Sequence, residues 1–140
     1  MHVLFLDANV LFSAASRVES PLRELWTLPE TELVTSDYAL EEARRNLSTL
    51  DQLRALDALA AGVRVIQESG TWALPDDITL PEKDRPILSA AIVSGATHLT
   101  TGDQTHFGAW YGKQVSGVTI LRPAAYLQSR AEADAARFAT

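Results

Sequence analysis

Four carboxylates stand where an acidic side chain can do chemistry in this chain: Asp7, Glu42, Asp84 and Asp103. Asp7 interrupts the apolar opening "VLFLDANVLFSAAS". Asp103 closes "HLTTGD", just beyond another apolar run. Bare carboxylates brought together repel. Two unit charges 4 Å apart cost about 1 kcal/mol in water and about 4 kcal/mol at an effective dielectric near 20. A cluster of this kind either raises its pKa values or binds a hard cation. Oxygen-only ligation favours Mg²⁺ or Mn²⁺ over zinc. Such an ion lowers the pKa of a bound water and offsets charge on a phosphate under in-line attack. An acidic edge filled by a metal would make a phosphodiesterase.

The elements that must position these residues alternate short apolar strands with helices. The pattern predicts strands at 3–6, 33–35, 63–66, 98–100 and 115–121. Helices are predicted at 9–15, at 21–28, from 36 or 37 to about 47, from 49 or 51 to about 61, at 84–94, and from 124 onward. Ser20 and Pro21 open the second of these, as N-cap and first helical residue. "TGDQTHFGAWYG" reads as a Gly-rich loop with one helical turn. No repeat, low-complexity tract or linker divides the 140 residues, so one domain covering 1–140 is expected, with the last few residues frayed. The alternation implies an α/β fold: a mostly parallel central sheet of about five strands with helices on both faces. Ligands bind such sheets outside the carboxyl ends of the strands, which is where Asp7 and Asp103 lie.

Helical periodicity sorts the other two acids. In "SDYALEEARRNL", Ala39, Leu40, Ala43, Leu47 and Leu50 define one apolar face. Glu41 points about 150° away from its centre and Glu42 about 110°. Glu42 therefore stands nearer a groove between elements, and Glu41 reads as a solvated charge. Asp84 precedes Ile87 by three residues and Leu88 by four, so it shares their face. Each acid also has a bland reading. Asp7 and Asp103 can cap helices or shape turns, and Asp84 can N-cap its helix with Pro86 in the first turn. A cap can also face a pocket.

Composition sets the outer bounds. With 46% hydrophobic and 21% charged residues, the chain can bury an ordinary globular core. It has no cysteine, which excludes disulfides and thiolate metal sites and fits a reducing, cytoplasmic compartment. No Lys or Arg precedes the first apolar run, which Asp7 and Asn9 interrupt, so a secretion signal is not expected. No stretch reads as a membrane span. The formal net charge of −6 is not that of an obvious nucleic-acid binder, but it suits carboxylates offset by a bound cation.

"FLDANVLFSA", "TSDYALEEARRNL", "DRPILSAAIVSGATHLTTGD" and the "HF" that follows resemble the PIN-domain nuclease family. Within it they look most like the small single-domain ribonucleases that act as VapC-type toxins of toxin–antitoxin pairs. Each piece is short; their order and spacing over nearly the whole chain carry the likeness. The resemblance implies a PIN-like fold and an Mg²⁺- or Mn²⁺-dependent endoribonuclease acting on RNA. It also implies a homodimer and a cognate antitoxin that covers the acidic pocket. It assigns metal binding to Asp7, Glu42, Asp84 and Asp103, with Asn9, Ser36 and Thr101 in supporting positions. The segment "ESGTWALPDDITLPEK" fits least well, and a different helix start would put Asp76 or Asp77 in place of Asp84.

Other residues read more simply. His2 and His98 are expected to be structural, and His106, three residues after Asp103, either borders the pocket or sits in a surface loop, the loop being the default. Trp26, Trp72 and Trp110 read as core or interface, and Trp110–Tyr111 as the pair to touch a partner. Lys83 and Arg85 can meet RNA phosphates, whereas Arg44 and Arg45 read as a solvated helix face. The competing reading is a PIN-like module that binds RNA or protein without cleaving. A dehalogenase-type phosphatase would want an aspartate two residues after the first, where Asn9 stands. A receiver domain would want an acidic pair by the first strand and a lysine after the last, and neither is evident.

Overall fold

Strand β1 (His2–Leu6) carries Leu4, Phe5 and Leu6 with no exposed surface. A strand apolar on both faces must be covered on both, which places it inside a parallel sheet. A computed structural model describes residues 1–67 and 74–138 and shows that sheet. Its strands are β1, β2 (Thr31–Ser36), β3 (Arg64–Ile66), β4 (His98–Thr100), β5 (Gln114–Val115) and β6 (Val118–Leu121), in the order β3-β2-β1-β4-β6-β5. Neighbours run parallel except β5 against β6. Leu4 of β1 lies between Leu33 of β2 and His98 of β4.

The helices are α1 (Ala8–Ser16), α2 (Asp37–Asn46), α3 (Leu50–Ala60), α4 (Arg85–Val93), α5 (Gln104–Phe107) and α6 (Pro123–Phe138). Two of them begin as expected. Ser36 Oγ accepts from the Ala39 N–H at the start of α2, and Thr49 forms a reciprocal capping box with Gln52 at the start of α3. Gly95, at a φ of +75°, ends α4 in the left-handed conformation that closes helices. Right-handed crossovers put α1, α2 and α3 on one face and α4 on the other. The chain winds outward from β1 to β3, then returns to β4 on the far side of β1. The β1–β4 boundary is thus the topological switch point, where a crevice opens.

Two expectations need correction. The run at 115–121 is a hairpin rather than one strand, which brings the expected sheet of about five strands to six. Ser116 (φ 49°) and Gly117 (φ 83°) both adopt positive φ, as a tight two-residue turn between twisted strands requires. The segment Pro21–Thr27 is a 3₁₀ helix, and Ser20 makes no side-chain capping bond to it. Trp72 lies outside the described residues. No helix among the described residues is long and apolar enough to cross a membrane.

At the edge away from the crevice, rings fasten α6 to the sheet. His2 packs at a tilt against His98 with centroids 4.7 Å apart, and Tyr126 meets His98 edge-on at 5.0 Å. Arg130 donates to the Tyr126 hydroxyl (2.7 Å) and to Thr31 Oγ1 (2.8 Å), and that hydroxyl lies 2.6 Å from His2 Nδ1. Burial, His2 and Arg130 together push the His98 imidazole down to about 4. Unfolded, it titrates near 6.5. As pH falls from 6.5 to 4, the unfolded chain takes up a proton that the folded chain refuses, so stability is lost across that window. His98→Phe removes this slope. Chemical denaturation at pH 7 and pH 5 should show the wild type losing on the order of 1–2 kcal/mol more than the variant, after allowance for solvent screening of the partly exposed ring.

Candidate active site

The carboxyl end of β1 is held from both sides. Thr35 Oγ1 on β2 donates to the Leu6 carbonyl (2.8 Å), and Thr100 Oγ1 on β4 donates to the Phe5 carbonyl (3.0 Å). Both hydroxyls are buried. Asp7 follows directly, its N–H bonded to the Thr100 carbonyl. Only 4% of Asp7 is exposed. Its Oδ1 accepts from the Ala8 N–H (2.6 Å), which caps α1, and its Oδ2 accepts from Thr101 Oγ1 (2.7 Å) and Asn9 Nδ2 (3.2 Å). Desolvation raises this carboxyl to about 6, despite the opposing bonds from Thr101 and Ala8; the charges of Glu42 and Asp84 add to the rise.

Asn9 and Thr101 tie the two strand exits together. Asn9 Oδ1 accepts from the Gly102 N–H (2.8 Å), and its Nδ2 also reaches Thr101 Oγ1 (3.3 Å). Thr101 Oγ1 in turn accepts from the Asp103 N–H (3.1 Å). The Tyr111 hydroxyl holds the Thr101 carbonyl (2.9 Å), and Trp110 Nε1 reaches the Thr79 carbonyl (3.4 Å). Both aromatic residues are partly buried against the core.

Asp7, Glu42, Asp84 and Asp103 all line one cavity of about 600 Å³, together with Asn9, Asn46 and Lys83. α1 supplies one wall through Val10, Phe12 and Ser13. Glu42 is half-buried while Glu41 is exposed, in keeping with their angles on the helix. Asp76 and Asp77 are exposed and do not line the cavity. Ser36 is buried at the start of α2 and does not line it either; it fixes the helix that carries Glu42. Arg44 pairs with Asp57 (3.0 Å) and Arg85 donates to the Ile78 carbonyl, which leaves Lys83 as the cation on the cavity wall among the described residues.

The capping readings divide in an unexpected way. Asp7 caps α1, and Asp103 Oδ1 accepts from the His106 N–H (3.2 Å) at α5. Asp84, the most plausible cap by sequence, makes no capping bond. A 3₁₀ turn, Glu82–Asp84, runs straight into α4, so Asp84 already has helical backbone and cannot reach back over the first turn. Its side chain turns instead toward His106 and Asp103. His106 Nδ1 lies 2.8 Å from Asp84 Oδ2 and 2.8 Å from Asp103 Oδ2. Neither Asp84 Oδ2 nor His106 Nδ1 forms an aligned hydrogen bond, and both atoms are buried. Desolvation raises Asp84, with His106 and Lys83 opposing and Asp103 and Glu42 reinforcing the shift.

Asp84, Asp103 and His106 each bring a ligand atom within 4.8 Å of the other two. Buried polar atoms without partners, in a set of carboxylates and an imidazole, fit a divalent cation. Asp84, Asp103 and His106 would hold it, with Asp7 and Glu42 on the same cavity wall. The default of a surface loop for His106 is therefore replaced: it is partly buried and faces two of the acids. Its spacing of three residues from Asp103 was the available signal.

No protein-family model matches the sequence, and no curated protein matches it. Solved structures do match the fold. The VapBC2 structure from Rickettsia felis, bound to a DNA fragment from its promoter, contains a chain 16% identical, with a TM-score of 0.64, over 86% of this chain and 98% of that one. VapC20 of Mycobacterium tuberculosis, a toxin that cleaves the sarcin–ricin loop, is 18% identical with a TM-score of 0.53, over 76% of this chain and 94% of that one. The chain therefore has the PIN-like α/β fold of the VapC toxin structures.

The raised Asp7 pKa has a consequence for stability. Its folded value lies above the ordinary 3.8, so the folded state is relatively favoured at low pH and loses that advantage as pH rises toward 6. At pH 7 the ionised, uncompensated carboxylate costs stability. In EDTA at pH 7, Asp7→Asn should therefore melt a few degrees higher than wild type, a gain of about 1–2 kcal/mol, part of the pKa-derived figure being lost with a rearranged bond to Asn9 or Thr101. Calorimetric melting checks this. A lower Tm for the variant would mean that the hydrogen bonds to the Asp7 carboxylate outweigh its desolvation.

Proposed function

We propose that this protein is a metal-dependent endoribonuclease, the toxin of a toxin–antitoxin pair, which cleaves RNA phosphodiester bonds by attack of water. The observation that carries this reading is the convergence of Asp7, Glu42, Asp84 and Asp103 from separate elements on one cavity at the sheet's switch point. The described toxin activity of VapC20, a protein of the same fold, supports it. When bound, Mg²⁺ or Mn²⁺ supplies Lewis acidity and offsets phosphate charge.

The chain's own residues divide the remaining work. Asp84 and Asp103 hold the ion, with Asp7 and Glu42 completing the acidic wall. Asn9 and Thr101 fix the Asp7 carboxylate and join the two strand exits. Ser36 holds the start of α2 and so sets Glu42. Lys83 faces the cavity and can contact a phosphate oxygen. Val10 and Phe12 exclude water from one side. The protein works as a cytoplasmic homodimer, and a cognate antitoxin covers the acidic cavity.

Asp7→Asn, Asp84→Asn and Asp103→Asn should each lower cleavage of a labelled RNA by roughly 100-fold or more with their folds intact, and EDTA should abolish wild-type cleavage. A variant that cuts as fast as wild type would overturn the mechanism. Absence of any Mg²⁺ or Mn²⁺ binding by calorimetry would favour the non-cleaving, PIN-like binding module instead. The toxin reading further expects a neighbouring small reading frame that encodes a DNA-binding protein with a disordered tail. Its absence would weaken the toxin reading and leave the nuclease one standing.

A further inference from the structure

We infer that His106 is the nitrogen ligand of the metal centre and makes that centre prefer Mn²⁺ to Mg²⁺; this rests on the proposed metal-dependent activity and names a residue and a selectivity within that same site. The four acids alone form an all-oxygen set, which suits Mg²⁺ and Mn²⁺ alike. His106 changes the donor set. Its backbone is fixed by Asp103, whose Oδ1 accepts the His106 N–H (3.2 Å), and its ring is turned inward so that Nδ1 meets both acids at 2.8 Å.

Those contacts are too close to be incidental and too poorly aligned to be hydrogen bonds. Asp84 Oδ2 and His106 Nδ1 are buried and have no hydrogen-bond partner. The Asp84 side chain is only 10% exposed. A carboxylate oxygen and a ring nitrogen in close contact without an aligned hydrogen bond are incompletely satisfied, and a cation between them would satisfy both. An ordinary His–Asp ion pair would have turned the N–H onto one oxygen. Here the nitrogen is equidistant from two oxygens, and both separations are short enough for adjacent ligands of one divalent cation, roughly 2.8–3.2 Å apart. Ligation through Nδ1 uses the neutral ring with its proton on Nε2.

The consequence is selectivity. Mg²⁺ is hard, keeps its waters and gains little from an imidazole, whereas nitrogen ligation strengthens binding of transition metals. Removing the nitrogen should therefore weaken Mn²⁺ binding far more than Mg²⁺ binding. A residue that merely braced Asp84 and Asp103 would weaken both ions alike when replaced.

The test is pulsed electron paramagnetic resonance of the Mn²⁺-loaded full-length protein, with calorimetric titration of Mn²⁺ and Mg²⁺ into wild type, His106→Gln and His106→Ala. The expected result is a ¹⁴N coupling to Mn²⁺ in wild type that both variants lack. With it comes a loss of Mn²⁺ affinity of at least tenfold, and a change for Mg²⁺ below about threefold. Circular dichroism at equal concentration establishes that the variants are folded, and two substitutions guard against failure of either. Tight Mn²⁺ binding without a ¹⁴N coupling overturns the inference and leaves the proposed nuclease standing, as does an equal loss for both ions. Failure of the wild type to bind either ion overturns the metal-dependent reading itself.

Discussion

The cost of keeping Asp7 charged inside the protein governs this structure. The residue sits at the end of a strand with no exposed side chain among Leu4, Phe5 and Leu6, and desolvation dominates its environment. Three donors blunt that cost: the Ala8 N–H, the Thr101 hydroxyl and the Asn9 amide. They do not remove it, because desolvation outweighs them and the charges of Glu42 and Asp84 add to it. A chain selected only for stability would put an apolar or amide side chain there. The surrounding donors orient the carboxylate without neutralising it, which leaves the neutralising charge to come from a ligand.

Topology explains why such a cost is met at one place. The switch point lies between β1 and β4, so Asp7 and the Thr101–Asp103 segment leave adjacent parallel strands at the same edge. α2 and the 3₁₀ turn that leads into α4 approach that edge and bring Glu42 and Asp84. The buried hydroxyls of Thr35 and Thr100 lock the strand end from which Asp7 departs. The opposite edge is fastened by an unrelated device, the Arg130–Tyr126–His2 chain of contacts. α6 is thus tied down at one end, and at the other Asp84 Oδ2 and His106 Nδ1 have no hydrogen-bond partner.

Much of this was legible in the sequence, for definite reasons. β4 spans the residues that the apolar "HLT" suggested, and β1 differs by one residue, because buried parallel strands leave continuous apolar runs. Glu42 was separable from Glu41 by helical angle alone, and the structure leaves Glu41 exposed. The break at Ser116–Gly117 was overlooked because the flanking residues are β-rich and the two-residue turn is short. The failure of Asp84 to cap α4 was not legible, since nothing local shows that a 3₁₀ turn continues into the helix. The inward ring of His106 depends on contacts with Asp84, twenty-two positions away, which no local pattern carries.

The central claim is that these acids form a divalent-cation site. Crystals soaked in Mn²⁺ and measured at the manganese absorption edge test it most directly. The expected result is one strong anomalous peak in the cavity, within about 2.0–2.6 Å of carboxylate oxygens of Asp84 and Asp103. A cavity that shows no peak at saturating Mn²⁺, with Asp84 and His106 hydrogen-bonded to protein groups or water instead, would contradict it.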